Sequence, residues 1–228
     1  MLFVGFTVVG TPTVTATVQG VSDLVVIGTP ANDQILFIPG NTAGEVVAKL
    51  NGVIVASFSP TGRIIAYGLA GNDDIQVVGG VTHQAWLYGD SGNDRLNAGN
   101  GGSLLFGGDD NDQLIGGGGR DIMIGGNGAD SLLGNANDDI LVAGYTLKDN
   151  RAHTDHLAFW RAVLAVWNGP DLFASRVQNL KGAGGLLPQV VDDCFDDEMD
   201  FLNGSGGDDW LIYALDEDKV TGKPEASN

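Results

Sequence analysis

The sequence predicts a mainly β fold, a parallel solenoid of short strands joined by glycine-rich turns. Three observations predict it. Glycine makes up 36 of 228 residues, about twice its usual share of roughly 7%. The excess sits mid-chain in nine-residue frames beginning at Gly89, Ala98, Gly107, Gly116, Gly125 and Gly134. Two columns run through these frames. Position 6 reads Asp94, Ser103, Asp112, Asp121, Asp130 and Asp139; position 8 reads Leu96, Leu105, Leu114, Met123, Leu132 and Leu141. Short strands separated by turns, each strand with one side chain pointing inward, account for both columns.

Taken from the N-terminus, residues 1–67 read as a β-strand region or cap. TPTVTATV (11–18) alternates apolar and threonine positions without an obvious local partner. It pairs within its own cap or is donated to a neighbouring molecule. VSDLVVIG, QILFIPG and EVVAKLNGVIVASF follow as strands, the last a hairpin turning at Asn51-Gly52. They continue the solenoid or cap its first coil. A loose frame at Gly28 supplies Asp33 and Ile35, and a frame at Gly68 supplies Asp73 and Ile75.

Residues 68–144 carry the repeat itself. In residues 145–202 the period breaks. HTDHLAFWRAVLAVWNG places Leu157, Trp160, Leu164 and Trp167 at helical spacing, with Thr154 or Asp155 as cap. PDLFASRVQNLKG reads as a second helix, with Phe173, Val177 and Leu180 in line and Gly182 as its stop. Residues 203–228 read as a closing repeat and cap, with a frame from Asn203 supplying Asp208 and Trp210.

The frames follow the pattern G-G-x-G-x-D-x-U-x, where U is a large apolar residue. The chain therefore resembles the RTX (repeats-in-toxin) hemolysin-type calcium-binding β-roll family. GTPANDQILFIPG, YGLAGNDDIQVVGG, ILVAGYTLKDN, SRVQNL and GGDDWLIY extend the likeness to the C-terminal repeat region of large secreted bacterial proteins. The resemblance implies a parallel β-roll with calcium-binding turns, an N-terminal β cap and a small α-helical insertion packed on one sheet. It also implies several Ca2+ ions and a secreted or cell-surface location, and it carries over no catalytic residues.

Elementary chemistry agrees with the calcium reading. Glycine admits positive φ, so a turn can aim its carbonyls at one spot. Calcium takes about 6–8 oxygen ligands, more than one turn supplies, so two stacked turns must share an ion. Nine residues make half a coil, and turns stack every 18. Asp73, Asp94, Asp112 and Asp130 then line one edge; Ser103, Asp121 and Asp139 line the other. The expected metal sites lie between Asp94 and Asp112, Asp112 and Asp130, Asp121 and Asp139, and Asp73 and Asp94. Ser103–Asp121 is weaker because Ser103 has no charge. The glycines expected in these sites are Gly89, Gly92, Gly107, Gly116, Gly119, Gly125 and Gly128. Asp33 and Asp208 are the outlying candidates, with ordinary turn residues as the alternative reading of both.

Positions 7 and 9 point outward. On alternate strands they are Leu104, Phe106, Ile122, Ile124, Ile140 and Val142. Six outward apolar residues ask for a cover. The two helices are the expected cover, and a subunit interface is the rival.

Charge and motifs exclude other classes. A net charge of −18 repels phosphate backbones, so no nucleic-acid partner is expected. No apolar run is long enough for a membrane span. The first 20 residues lack the basic start of a signal peptide, which suggests a mature chain, a fragment, or export without an N-terminal signal. The single cysteine, Cys194, allows no internal disulfide. HExxH and GxSxG are absent, so no enzyme is expected. His153 and His156 sit on a helix surface, and the acidic run 192–200 reads as a solvated loop. The function that follows is a non-catalytic extracellular calcium-binding module. The alternatives are a self-assembling subunit of a filament or surface layer joined through terminal strands, and the C-terminal module of a secreted hydrolase.

Overall fold

A computed structural model describes residues 14–18, 21–146, 156–181, 198–213, 218–221 and 224–226. Eighteen strands and two helices are present among them. The strands are β1 (Val14–Val18), β2 (Val21–Ile27), β3 (Gln34–Pro39), β4 (Val46–Leu50), β5 (Val53–Phe58), β6 (Ile64–Ala70), β7 (Asp74–Val77), β8 (Ala85–Ser91) and β9 (Arg95–Asn97). Then come β10 (Leu104–Asp109), β11 (Gln113–Ile115), β12 (Ile122–Asn127), β13 (Ser131–Leu133) and β14 (Ile140–Val142). Helices α1 (His156–Trp167) and α2 (Phe173–Lys181) follow. The chain closes with β15 (Phe201–Asn203), β16 (Asp209–Ile212), β17 (Lys219–Thr221) and β18 (Pro224–Ala226).

The strands form a β-roll of two facing sheets. Sheet one has the order β1-β2-β6-β8-β10-β12-β14-β16-β18, and sheet two β17-β15-β13-β11-β9-β7-β3-β4-β5. Consecutive strands of the repeat alternate between sheets, and neighbours within a sheet are parallel, with Leu105 beside Met123 and Leu114 beside Leu132. The antiparallel pairs lie at the N-terminal end, where β1 adds to β2 and the β4–β5 hairpin adds to β3. Strands β2 and β3 are the roll's first coil, because they pair in parallel with β6 and β7. The segment 14–18, which lacks a partner in the sequence pattern, finds one in its own chain: β1 pairs antiparallel with β2.

The position-8 column fills the interior. Ile35, Ile75, Leu96, Leu105, Leu114, Met123, Leu132, Leu141, Leu202 and Leu211 all have no exposed surface. A three-residue strand offers one inward side chain per pass, and the longer strands β3 and β7 add Phe37 and Val77 to the same interior.

The outer face of sheet one forms a second core. Trp86, Tyr88, Leu104, Phe106, Ile122, Ile124, Ile140 and Val142 are buried against Trp160, Val163, Leu164, Trp167 and Leu180 of the helices. The helical cover expected from the outward apolar positions is therefore present, and it buries the tryptophans. The cap residues Thr154 and Asp155, the stop Gly182, His153, Cys194 and most of the 192–200 run lie outside the described residues. His156 is not on a wet helix surface. It is buried, with Nε2 3.1 Å from the Tyr88 hydroxyl.

The closing repeat runs one residue later than the frame at Asn203. Trp210 pairs with Ile140 and Leu211 with Leu141, so Leu211 holds position 8 and Asp209 position 6. The doubled aspartate at 208–209 hides the register, and the apolar triplet Trp210-Leu211-Ile212 decides it by burying all three.

Truncating an interior position leaves a cavity that a solenoid pinned on both sides cannot collapse. Leu114→Ala is expected to lower unfolding free energy by about 2–5 kcal/mol. Gln113→Ala, exposed on the same strand, is expected to stay within about 0.5 kcal/mol. Thermal or denaturant unfolding of the two variants checks the difference.

Candidate metal centre

The turns lie on two edges. Those leading into sheet two make the first edge, and those leading into sheet one make the second. On the first edge a ladder of carboxylates ties coil to coil. The main-chain N–H of Asp33, Asp73, Asp94 and Asp112 donates to Oδ1 of Asp73, Asp94, Asp112 and Asp130 in turn, each at 2.7 Å. Asp130 continues to Asp200 at 2.6 Å and Asp200 to Asp218 at 3.0 Å. On the second edge Ser103 donates to Asp121 at 2.7 Å, Asp121 to Asp139 at 2.8 Å and Asp139 to Asp209 at 2.9 Å. Outside the first ladder runs a second one of amides. Asn32, Asn72, Asn93 and Asn111 each accept the N–H of the next coil's position-5 residue, ending at Ala129.

The backbone of the turns faces its carbonyls across each gap. Positive φ occurs at position 2 (Leu69, Asp90, Gly108, Gly126, Asn135, Ser205) and at position 4 (Gly71, Gly92, Asp110, Gly128, Asn137, Gly207). Asp110 and Asn137 hold the geometry that glycine holds elsewhere, as short polar side chains can. The carbonyls of Asp90 and Gly108 press on Gly108 and Gly126, and those of Gly71, Asp110 and Asn137 on Gly92, Gly128 and Gly207. At position 1, a side-chain carbon on Gly68, Gly89, Gly107, Gly125 or Gly134 would strike two oxygens. One is Oδ2 of that turn's own aspartate, the other the position-1 carbonyl of the following coil. Each such gap is thus faced by carbonyls of both turns and by a carboxylate.

Those carboxylates are incompletely satisfied. Oδ2 of Asp73, Asp94, Asp112, Asp139 and Asp209 is buried and has no hydrogen-bond partner. A buried anion without a partner is costly. Burial raises the carboxyl of Asp73 to about 6, Asp94 to about 7, Asp112 to about 9 and Asp139 to about 10, with neighbouring carboxylates adding to the effect. A hard cation that accepts carbonyl and carboxylate oxygen removes the cost, and calcium has that preference. Among the described residues no three His, Cys, Asp or Glu side chains cluster. The donor set is therefore mostly backbone, as the stacked-turn arithmetic expects, and the residues fit calcium.

Two turns are closed by protein donors instead. Oδ2 of Asp33 accepts the N–H and hydroxyl of Thr29, and its Oδ1 accepts the side-chain amide of Asn51 at 2.6 Å. Oδ2 of Asp121 accepts the Gly117 N–H at 2.8 Å. None of residues 98–103 or 116–121 has positive φ. The turn 116–121, the one richest in glycine, is thus folded differently from its neighbours.

The expected site residues divide accordingly. Asp73, Asp94, Asp112 and Asp130 stand in one ladder with Gly89, Gly92, Gly107, Gly125 and Gly128 around them. Asp139 accepts the Asp121 N–H with Oδ1 and turns Oδ2 to the gap toward 204–209. Gly116 and Gly119 still lie too close to the Gly134 and Gly101 carbonyls for a side chain, but they belong to the self-closed turn. Asp208 is exposed and Asp209, buried, takes the ladder place. Asp200 and Asp218 are ladder members that the frame at Asn203 misses, because each stands nine residues from Asp209 and not from Asp208. Their signal is the apolar residue two positions later, Leu202 and Val220 at position 8.

Comparison with known families places the RTX calcium-binding nonapeptide repeat, in four copies, on residues 88–123, 115–144 and 197–220. No curated protein matches the chain. No solved structure matches it either.

The raised carboxyls dictate a pH response. In the metal-free fold they hold protons that the unfolded chain releases near pH 3.8. Their contribution is fully present below that pH and is lost as pH rises through about 6 to 10. In chelator, the melting temperature is expected to fall steadily from pH 5 to pH 9. Saturating calcium should flatten or reverse the slope. A metal-free melting temperature constant across that range would contradict the assignment.

Proposed function

The nonapeptide array of this chain belongs to the RTX calcium-binding repeats, and from that premise we propose that the chain is a calcium-loaded structural module of a secreted or cell-surface protein. The observation that carries the reading is the row of buried, unpartnered Oδ2 atoms on Asp73, Asp94, Asp112 and Asp139. Bound calcium supplies positive charge to oxygens that have no protein donor.

This chain's own residues do the rest. The Asp N–H to Asp Oδ1 rungs set the spacing between coils. Positive φ at positions 2 and 4 holds the carbonyls toward the gap. The position-1 glycines leave room for the carboxylate. The gaps that meet all three conditions lie between turns 68–73 and 89–94, 89–94 and 107–112, 107–112 and 125–130, and 134–139 and 204–209. The module binds and holds, and a non-catalytic role is supported by the match to a calcium-binding repeat. The two histidines within the described residues lie apart from them, His156 under the helical cover and His83 with Nε2 3.1 Å from the Pro60 carbonyl.

The alternative, assembly through terminal strands, would use β1, which stands at the edge of sheet one beside β2 of its own chain. A secreted location is supported by the resemblance to repeats of secreted proteins and carries a quantitative expectation. Extracellular modules bind calcium at about 10⁻⁴–10⁻³ M, and cytosolic sensors at about 10⁻⁷–10⁻⁵ M.

Titrating calcium into the chelated chain, followed by circular dichroism, tests the proposal. The expected result is a cooperative gain of β signal with a midpoint of about 10⁻⁴–10⁻³ M. A spectrum indifferent to chelator removes the calcium reading, and a midpoint below about 10⁻⁶ M removes the extracellular one.

A further inference from the structure

The insertion that carries the helices opens and closes within one turn. Ala143 stands where the next position-1 glycine belongs, its carbonyl against Gly125, and Asp200 supplies position 6 of that same turn. Asp139 and Asp209, which would stack at a spacing of 18, are 70 residues apart. The gap between turns 134–139 and 204–209 is therefore built from chain on both sides of the insertion.

This gap is also where the helices end. Helix α1 begins over Tyr88 and Phe106 and finishes with Trp167 at the second edge, its indole N–H donating to the Asp138 carbonyl at 3.0 Å. Arg176 of α2 is buried. It lies over the Trp167 ring, donates to the Trp167 carbonyl at 2.9 Å and pairs with the Asp138 carboxylate. The other oxygen of Asp138 accepts the Asp208 N–H across the gap at 2.9 Å. Asp138 thus touches the helices with one oxygen and the returning chain with the other.

Its neighbour Asp139 faces the gap. Asp139 and Asp209 are fully or almost fully buried, and the Oδ2 of each has no partner. Among the described residues of the second edge, only these two turns have positive φ at positions 2 and 4. The turns at 98–103 and 116–121, which lie beneath the same helices, are closed without such a gap.

Resting on the calcium reading above, we propose that the helical cover is docked by a cation clasp. One cation between turns 134–139 and 204–209 closes the insertion, and through Asp138 it holds Trp167 and Arg176 on the outer face of sheet one. Coupling of this kind is reciprocal. Docked helices fix Asp138 and so pre-form the gap for the cation; an empty clasp leaves two buried carboxyl groups whose Oδ2 atoms have no partner, a cost that favours opened turns and a released cover.

Amide hydrogen exchange on the full chain through a calcium titration reads the coupling. The amides of α1 report docking, those of Gly206 and Asp208 report the clasp, and those of Asp94 and Asp112 report the first edge. In the wild type, α1 and the clasp are expected to gain protection at one shared midpoint. Asp139→Asn should raise both of those midpoints by at least about five-fold and leave the first edge in place. Asp112→Asn should do the reverse. Arg176→Ala, which alters no group facing the gap, should raise the midpoint of Gly206 and Asp208 by a similar factor. An α1 midpoint unmoved by Asp139→Asn, or a clasp midpoint unmoved by Arg176→Ala, would overturn the clasp. If calcium changes no amide in the wild type, the calcium reading itself fails, which is a separate result.

Discussion

A single bond type sets the geometry of this molecule: the main-chain N–H of one position-6 aspartate held by the carboxylate of the next. It repeats along the first edge from Asp33 to Asp218, at 2.6 to 3.0 Å. Each rung fixes the coil-to-coil distance at the point where the chain turns. Parallel strands of three residues make too few ladder bonds to hold their own register, and the rungs supply it. The same bond creates the main liability of the fold. It engages Oδ1 and drives the carboxylate into the turn, where Oδ2 finds only carbonyls. An acceptor among acceptors needs either a proton or a cation. On the calcium reading proposed above, the cation takes that place at neutral pH, because several hard oxygens already face it.

Where the chain avoids the cation, it changes residues in ways that explain themselves. Asp33 meets Thr29 and Asn51, two donors brought by the loose N-terminal frame and by the hairpin turn between β4 and β5. Asn51 can reach it because the hairpin folds back over the first coil, its own N–H donating to the Gln34 carbonyl. Asp121 is satisfied by Gly117 within its own turn, whose backbone has abandoned positive φ. The two closures differ, yet both put N–H groups where calcium would otherwise be required.

Much of this is legible in the sequence, and the parts that are not have physical causes. The interior column from Ile35 to Leu141 and the outward apolar set on sheet one follow from a period of nine, since a strand of three has no other way to sort its side chains. The helices and the face they cover follow from that set. The turn at 116–121 misleads because glycine permits positive φ without requiring it; composition tells which conformations are open, and the neighbouring coil chooses. Asp208 misleads because two adjacent aspartates give two frames of equal quality, and only the pairing of Trp210 with Ile140 separates them. Asp200 and Asp218 escape with it: each stands nine residues from Asp209, so a frame set one residue early misses both, and the insertion shifts the phase of any count carried forward from Asp139.

That shift has a consequence for how the roll is made whole. An insertion placed inside a turn breaks the ladder in sequence and not in space: Asp130 still meets Asp200, and Asp139 still meets Asp209. Closing a loop of this length costs entropy that grows only slowly with its length, so a few strong contacts at its base are enough. Asp138 and Asp139 provide them side by side. One oxygen of Asp138 answers a buried guanidinium from the insertion and the other the returning backbone, while Asp139 presents its free oxygen to the gap. An ion pair on one side and, on the proposed reading, a shared ion on the other make the base of the insertion a polar junction beside the second core. The cover stays with the roll because its anchoring carboxylate is adjacent in sequence to a carboxylate that the roll itself must satisfy.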